Sequence, residues 1–190
     1  MQLRRDFMAV ALSICVAVEG MGQVNANAPA KSASATSANQ ATRISGTYRY
    51  VGNAAEQEAR QAAIDRAVEG MSVFIRSTAR SRISATTQIL ESYVFSFEVG
   101  KIRVRAQGRP EMISGDKGEP ADYVYNGRRS TLTQVRDGDQ ITQVFVSDDG
   151  RRENEFTLSP DGQVMMLKVT LTSPRLSVPV VYRLSYKKVD

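Results

Sequence analysis

The chain has 190 residues, no histidine, one cysteine and a formal net charge of +5 at pH 7. This composition excludes a Ser-His-Asp triad, a histidine-ligated haem and a zinc site of the usual nitrogen and sulfur type. Hydrophobic residues make up 42% of the chain and the charges are scattered, as in an ordinary globular domain.

The start of the chain has the pattern of an export signal. Arg4 and Arg5 are followed by an apolar run over residues 7–18, which is too short to span a bilayer. Small residues come next, and cleavage would fit the small-x-small pattern at three alanines: Ala26, Ala28 and Ala30. We therefore predict a signal peptide over residues 1–28 and an exported protein, either periplasmic or secreted.

The export route stays open on the sequence alone. Arg4, Arg5, Phe7 and Met8 resemble the twin-arginine signal, whereas the missing lysine after the hydrophobic pair favours the general secretory route. An uncleaved membrane anchor is a third interpretation. The only cysteine, Cys15, lies within the apolar run, so the exported chain would have neither a disulfide nor a catalytic thiol. Export also makes nucleic acid a poor candidate for a partner, although the net charge is positive.

Residues 29–43 are small and polar and cannot form a core, so we predict a flexible linker there. The folded domain is predicted at residues 44–190. It begins with the stretch ISGTYRYV, which alternates as a β-strand does. One face of this strand carries Ile44, Gly46, Tyr48 and Tyr50.

A helical pattern follows over residues 53–80. Asn53 and Glu56 have the spacing of a capping box. Apolar side chains recur at intervals of three and four and form one stripe: Ile64, Ala67, Val68, Met71, Phe74 and Ile75. A continuous helix would be about 40 Å long at 1.5 Å per residue, which is long for a small domain. Because Gly70 weakens it, we expect either a break near Gly70 or a helix laid along the body.

From about residue 90 the pattern is that of β-strands to the end of the chain. Asn-Gly and Asp-Gly pairs, which favour tight hairpin turns, recur at a regular spacing: Asn126-Gly127, Asp137-Gly138, Asp149-Gly150 and Asp161-Gly162. No segment between them is long enough for a parallel crossover. The predicted fold class is mainly β, an antiparallel up-and-down meander of about 8–10 strands with the helix between strands 1 and 2. Such a meander closes into a barrel because closure removes its edges.

The order of strand, helix and meander resembles the calycin superfamily, which includes the lipocalins and the fatty-acid-binding proteins. Those barrels begin with a strand carrying Gly-x-Trp, and this chain has Gly46-Thr47-Tyr48. A helix after the first strand is similar to the lid of the fatty-acid-binding branch. That branch also holds a carboxylate with a late Arg-x-Tyr, whereas this chain has the longer spacing Arg183-Leu184-Ser185-Tyr186. The extra residue would put Arg183 and Tyr186 on opposite faces of a strand, so the carboxylate site is not carried across.

This architecture suggests non-catalytic binding of a small apolar or amphipathic ligand, because barrels of about eight strands or more can enclose one. Large side chains on the predicted inward faces would line the cavity: Tyr48, Phe95, Phe97, Met165, Tyr182 and Tyr186. On the last strands, the predicted inward positions also include Val178. The alternative is an envelope structural or protein-interaction module with a packed barrel that binds no ligand.

No cofactor, metal site or catalytic motif is predicted, and we expect a protein that is not an enzyme. Acidic pairs at Asp137/Asp139 and Asp148/Asp149 could bind calcium, but hairpin turns favour aspartate in any case.

A basic stripe is predicted on the outer face of one strand. It is either a solvated surface or a contact for an acidic partner or an anionic lipid surface, and it consists of Lys101, Arg103 and Arg105.

Overall fold

The structure of the protein, a computed structural model, describes residues 43–189. The predicted signal peptide and nearly all of the predicted linker lie outside these described residues. Within them, the elements follow the predicted order of a first strand, a helical segment and a long antiparallel meander. No helix in this part of the chain is long and apolar enough to cross a membrane.

The described residues form ten strands in a single sheet, at the upper end of the predicted number. These are β1 (Gly46–Tyr50), β2 (Ser92–Glu98), β3 (Lys101–Ala106), β4 (Met112–Gly115), β5 (Ala121–Tyr125), β6 (Arg128–Asp137), β7 (Gln140–Ser147), β8 (Gly150–Leu158), β9 (Val164–Thr172) and β10 (Val180–Val189). All pairs are antiparallel, in the order β4-β3-β2-β1-β10-β9-β8-β7-β6-β5. The first and last strands therefore lie side by side, and the remaining neighbours are joined by hairpins or, between β1 and β2, by the helical segment.

The sheet curls into a barrel that nearly closes between β4 and β6. The segment after β4 bonds to the edge of β6: the Arg136 backbone N–H donates to the Asp116 carbonyl at 3.1 Å, and the Gly118 N–H donates to the Gln134 carbonyl at 2.9 Å. Residues 115–118 therefore close the barrel. We call this contact the seam.

Two helices separate β1 from β2, namely α1 (Ala54–Glu69) and α2 (Val73–Thr86). The interruption at residues 70–72 confirms the expectation of a break near Gly70. The helical segment ends at residue 86 and not at residue 80. We refer to α1 and α2 together as the lid.

The break divides the predicted apolar stripe. Ile64 and Val68 of α1 are buried, whereas Phe74 and Ile75 of α2 are 94% and 56% exposed. The prediction that Phe74 and Ile75 belong to a core-facing stripe was therefore wrong. A continuous helix would have kept them in phase with α1, but the turn at residues 70–72 restarts the helix in another orientation.

The barrel interior contains the inward faces of the meander. Alternate residues are buried from Met165 to Val169 on β9 and from Val180 to Tyr186 on β10, as predicted. The exception is Val178, which is 45% exposed. Its predicted inward position was wrong because β10 begins only at Val180 and Val178 lies in the loop before it.

Candidate functional site

The six side chains predicted to line a cavity lie on β1, β2, β9 and β10, which are consecutive in the sheet. Five of them are buried and Phe97 is half-buried: Tyr48, Phe95, Phe97, Met165, Tyr182 and Tyr186. The structure therefore brings them together at the barrel interior. Their contact with a ligand stays a prediction.

Aromatic rings fill the interior between these strands. The Phe95 ring centroid lies 5.7 Å from that of Tyr48 and 5.0 Å from that of Phe156, both edge to face. Tyr93 lies 5.2 Å from Tyr186 and 5.1 Å from Phe156. Spacings of this size are those of direct aromatic packing. This part of the interior, the aromatic cluster, is therefore a packed core.

A row of buried amides crosses the interior beside the aromatic cluster. Gln134, Gln143 and Asn154 are inaccessible or nearly so and occupy paired positions on β6, β7 and β8. Gln143 Nε2 donates to Gln134 Oε1 at 2.7 Å, and Asn154 Nδ2 donates to Gln143 Oε1 at 3.3 Å. Gln134 Nε2 in turn donates to Ser114 Oγ and to the Ile102 carbonyl, both at 3.1 Å. Because each amide is bonded to the next, this amide row is a connected polar network inside the barrel.

The residues predicted to line a cavity did not include the amide row or two of the interior rings, Tyr93 and Phe156. The amides were overlooked because glutamine and asparagine usually face solvent. Strand alternation carries the signal, since Gln143 follows the buried Ile141 by two positions and Tyr93 precedes Phe95 by two.

Two arginines hold the C-terminal end of α2, one from α1 and one from the barrel. Arg60 of α1 donates from Nε to the Thr87 carbonyl at 2.7 Å and from a terminal nitrogen to the Ser84 carbonyl at 2.9 Å. Arg152 of β8 donates to the Thr86 carbonyl at 2.6 Å. Cations suit this position because the last carbonyls of a helix lack partners within the helix and carry its negative dipole end. We call these contacts the lid latch.

Two interior tyrosines bond to the segment that follows α2. The Tyr182 hydroxyl donates to the Thr87 carbonyl at 3.3 Å, and the Tyr186 hydroxyl donates to the Leu90 carbonyl at 3.0 Å. Burial raises the pKa of both hydroxyls, and it raises the pKa of Tyr93 to about 12. These tyrosines are therefore neutral at physiological pH.

Arg152 is an inward-facing cation. Its Nε donates to Asn154 Oδ1 at 2.9 Å, so it extends the amide row toward the lid. Among residues 43–189, no carboxylate lies within ion-pair distance of Arg152, whereas the adjacent Arg151 pairs with Glu153 on the outer face. The positive charge of Arg152 opposes the increase in the pKa of Tyr93 and of Tyr182 that burial causes.

The first turn of the lid is fixed to β10 by Glu56. The Glu56 backbone N–H donates to Asn53 Oδ1 at 3.3 Å, which is the predicted cap. The Glu56 carboxylate accepts from the Ser185 hydroxyl at 2.6 Å and from the Ser185 N–H at 3.0 Å. The carboxylate thus bonds to the barrel wall. In a complete capping box it would instead accept a hydrogen bond from the Asn53 backbone N–H.

A groove of about 610 Å³ opens between the lid and the rim of the barrel. Its apolar lining comes from Tyr50, Ile89 and Leu90, and its polar lining includes Gln57 and Arg60. The Tyr50 ring contacts the Tyr186 ring, with centroids 5.6 Å apart and edge to face. The groove therefore touches the aromatic cluster at its inner side.

The predicted basic stripe faces outward on β3, and its central charge is neutralised. Arg103 pairs with Glu98 at 2.8 Å and with Glu111 at 2.9 Å. Lys101 and Arg105 remain exposed. The role of the stripe as a contact for an acidic partner stays a prediction. In the described part of the chain, no three acidic or cysteine side chains are grouped to hold a metal ion.

Comparisons with known proteins bear on the fold. No family model matches the chain, and no curated protein matches its sequence. A secretory abundant heat soluble protein from Ramazzottius varieornatus superposes with a TM-score of 0.50 at 10% identity, covering 77% of this chain and 96% of its own. A Schistosoma mansoni fatty acid binding protein in complex with arachidonic acid gives 0.48 at 13% identity, covering 80% and 99%. A fatty-acid-binding protein from Manduca sexta gives 0.47 at 18% identity, covering 75% and 97%.

At such low identity the likeness concerns the fold alone. Together with the ten antiparallel strands and the lid between β1 and β2, it defines the chain as a calycin-like β-barrel. The fold class predicted from the sequence is therefore confirmed.

Proposed function

We propose that this barrel binds a small apolar or amphipathic molecule without converting it, at the groove beneath the lid. The observation that carries the proposal is the groove of about 610 Å³, which touches the interior aromatic cluster through Tyr50 and Tyr186. Small-molecule sites typically have volumes of about 300–1,000 Å³ and combine apolar walls with a few polar groups. The groove has both properties.

The lining favours an amphipathic molecule. Ile89, Leu90 and the Tyr50 ring would contact its apolar part, while Gln57 and the Arg60 guanidinium lie within reach of a polar or anionic end. Among the described residues, Arg60 has no carboxylate at ion-pair distance, so its charge can favour an anion, whereas Glu91, which also lines the groove, opposes one.

The six predicted lining residues would take part to different degrees. Tyr182 and Tyr186 bond to the segment that forms the inner wall of the groove. Tyr48 and Phe95 lie deeper and are packed against one another, so a ligand would reach them only by moving rings of the aromatic cluster.

The experiment uses a saturated sixteen-carbon carboxylate and the matching alcohol as probes, with affinities measured by displacement of an anionic fluorescent dye. Gln57→Trp would fill the groove from α1, and we expect it to weaken binding of both probes at least about tenfold (about 1.4 kcal/mol). Gln61→Trp is the matched control, because Gln61 is also exposed on α1 but does not line the groove. It should leave both affinities unchanged.

Three results would contradict the proposal: neither probe binds the unmodified protein, both tryptophan variants bind as well as it does, or both variants lose affinity equally. A preference for the carboxylate over the alcohol would support the assignment of Arg60 to an anionic end.

The second candidate function is an envelope structural or protein-interaction module whose barrel binds nothing. The packing of the interior rings at centroid distances of 5.0–5.7 Å favours it. Absence of probe binding in the first experiment would support this alternative.

We also propose that the protein acts outside the cytoplasm, after removal of a signal peptide ending near residue 28. Support comes from the arginine pair, the short apolar run and the small residues before residue 31. The lack of a catalytic motif supports a non-enzymatic role in that location.

A further inference from the structure

We propose that the groove beneath the lid takes a linear zwitterion, a molecule with a carboxylate at one end, an ammonium at the other and an apolar chain between them. This ligand class deepens the proposed function, on which it rests. It follows from the order of charged and apolar groups along one wall of the groove, the segment between α2 and β2. We call this wall the groove strip, residues 88–91, all four of which line the groove.

The positive end of the groove is Arg60. Its Nε donates to the carbonyl of Thr87 at 2.7 Å, so the guanidinium lies beside the residue that precedes the groove strip. A terminal nitrogen donates to the Ser84 carbonyl at 2.9 Å, which holds the group in place. Both acceptors are uncharged, so these bonds position the guanidinium without neutralising it, and it would attract a ligand carboxylate.

The negative end of the groove is Glu91, the last residue of the groove strip. It is exposed, and among residues 43–189 its carboxylate has no cation at ion-pair distance. The Glu91 backbone carbonyl accepts from the Tyr50 N–H at 2.9 Å, which fixes this end of the strip to the end of β1. A carboxylate that lacks a cation attracts an ammonium and repels an anion.

The backbone keeps these two ends apart. Glu91 follows Thr87, the acceptor of the Arg60 bond, by four residues, which in an extended chain is up to about 13 Å. Residues 88–90 belong to neither a helix nor a turn, and hydroxyls from two positions of β10 bond to the Thr87 and Leu90 carbonyls. A compact zwitterion, with both charged groups on one carbon, would therefore reach only one end.

The middle of the groove strip is apolar. Ile89 and Leu90 lie between the two ends, and each is partly buried against the core and partly exposed. The Tyr50 ring lines the same groove. An apolar chain between the charges of the ligand would cover these groups and remove their surface from water, which is favourable.

The order of these groups distinguishes a linear zwitterion from molecules with a single charge. A fatty acid would pair with Arg60, but the far end of its chain would lie beside Glu91 and displace water from that carboxylate. An alkylamine would pair with Glu91 and leave its own apolar end beside Arg60. A ligand that carries both charges pairs at both ends.

Two kinds of molecule have this chemistry, namely a long amino acid with its amine at the far end of an alkyl chain, and a short apolar peptide with free ends. Three glutamines also line the groove: Gln57, Gln88 and Gln107. Their amides donate and accept hydrogen bonds, so they would pair with the backbone groups of a peptide but find no partner on an alkyl chain. The experiment therefore has one arm for each source.

The first arm measures four unbranched eleven-carbon probes by isothermal titration calorimetry: the ω-amino carboxylate, the carboxylate, the amine and the alcohol. We expect the ω-amino carboxylate to bind at least about fivefold more tightly than the carboxylate or the amine, which corresponds to about 1 kcal/mol. The second arm compares trileucine with its N-acetylated form, its C-terminal amide and the form with both ends blocked. The same advantage of the free peptide would identify a peptide as the source.

Variants assign each charge of the ligand to one end of the groove. Glu91→Gln should reduce the affinity for the zwitterion to that for the probe without an ammonium, and should not weaken the latter. Glu58→Gln is the control, because Glu58 is exposed on α1 and does not line the groove.

Arg60→Gln should remove the advantage of the zwitterion over the probe without a carboxylate. Because this change also loosens the lid, the result is the ratio of the two affinities, which a general weakening of binding leaves unchanged. Arg66→Gln, on the exposed side of the same helix, should keep the ratio of the unmodified protein.

Equal affinities of zwitterionic and singly charged probes in both arms, with the sixteen-carbon carboxylate still bound, would overturn the ligand class and leave the proposed function intact. Failure of every probe to bind, the sixteen-carbon ones included, would overturn both. An advantage of the zwitterion that survives Glu91→Gln would place its ammonium elsewhere and would also overturn the assignment.

Discussion

Gln143 occupies the middle of the amide row, with Gln134 on one side and Asn154 on the other. Replacing it by leucine keeps the approximate volume but leaves a buried acceptor and a buried donor without their bonds. Each unpaired buried polar group costs about 1–3 kcal/mol. We therefore expect Gln143→Leu to lower the free energy of unfolding in urea by about 2–4 kcal/mol.

Gln163→Leu is the control for Gln143→Leu, because Gln163 lies in the turn between β8 and β9, away from the amide row, and should change stability by less than about 0.5 kcal/mol. Replacing Gln134, Gln143 and Asn154 together should cost less than the sum of the three single changes, since no partner in the row is then left alone. Equal stability of Gln143→Leu and the unmodified protein would show that the amide row contributes nothing.

For single residues of the site, the sequence predicts the buried rings better than the buried amides. Tyr48, Tyr182 and Tyr186 were placed correctly at the interior because large apolar rings at alternate positions of a strand have one favourable side. Alternation puts Gln143 in phase with the buried Ile141, but it does not show that a glutamine is stable there, because the free energy of burying glutamine depends on a partner on another strand. Gln134 and Gln143 find each other only once β6 and β7 pair in register.

At the scale of elements, α2 is held more firmly at its end than at its start. Phe74 near the start is exposed, whereas Ile83 near the end is buried and the carbonyls beyond it accept bonds from Arg60 and Arg152. Arg76 in the first turn of α2 donates to the Glu69 and Met71 carbonyls, but no side chain of that turn is buried, so α2 should open from its first turn. The lid latch also helps α2 to extend to residue 86, because the Ser84 and Thr86 carbonyls, which have no partner within the helix, accept hydrogen bonds from Arg60 and Arg152.

Arg60→Gln should loosen the lid without unfolding the barrel. The change removes charge-assisted bonds to Thr87 and Ser84, and we expect amide hydrogen exchange over residues 80–90 to become about tenfold faster, which corresponds to about 1.4 kcal/mol. Exchange in β7 and β8 should stay the same. The matched control is Arg66→Gln, an exposed arginine on the same helix. A uniform increase over the whole domain would mean that Arg60 stabilises the entire fold and not the lid alone.

The break near Gly70 was predictable from the sequence, but the orientation of α2 was not. Glycine and the length of the pattern indicated where a continuous helix would fail. The direction in which Val73 to Ile75 point depends on the turn at residues 70–72 and on the lid latch, which joins residues far apart in the sequence. Local periodicity therefore placed Phe74 on the wrong side.

At the scale of the whole molecule, the turn spacing and the lack of a segment long enough for a crossover predicted the meander. Asn-Gly and Asp-Gly pairs at regular intervals fix hairpins, and hairpins joined in succession give a meander. Closure of the barrel was expected in general terms, but its site was not, because the seam depends on a short segment, residues 115–118, that looks like an ordinary turn. Nothing local distinguishes a turn that bonds to a distant strand from one that does not.

The seam gives a test of how much closure contributes to stability. Gly118 has φ +90, and a β-carbon there would lie 3.3 Å from Val135 Cγ2 on β6, whereas Gly108 has φ +70 with no atom within 4 Å of an added β-carbon. Alanine at either position costs about 1–2 kcal/mol, because its backbone must adopt the left-handed region. Only the β-carbon of Gly118→Ala would also crowd Val135 at the seam. We expect Gly118→Ala to lower the free energy of unfolding by about 1 kcal/mol more than Gly108→Ala. It should also speed amide exchange at Arg136, whose N–H bonds to the Asp116 carbonyl. Equal effects of the two alanines, with unchanged exchange at Arg136, would mean that the barrel holds its shape through the paired strands alone.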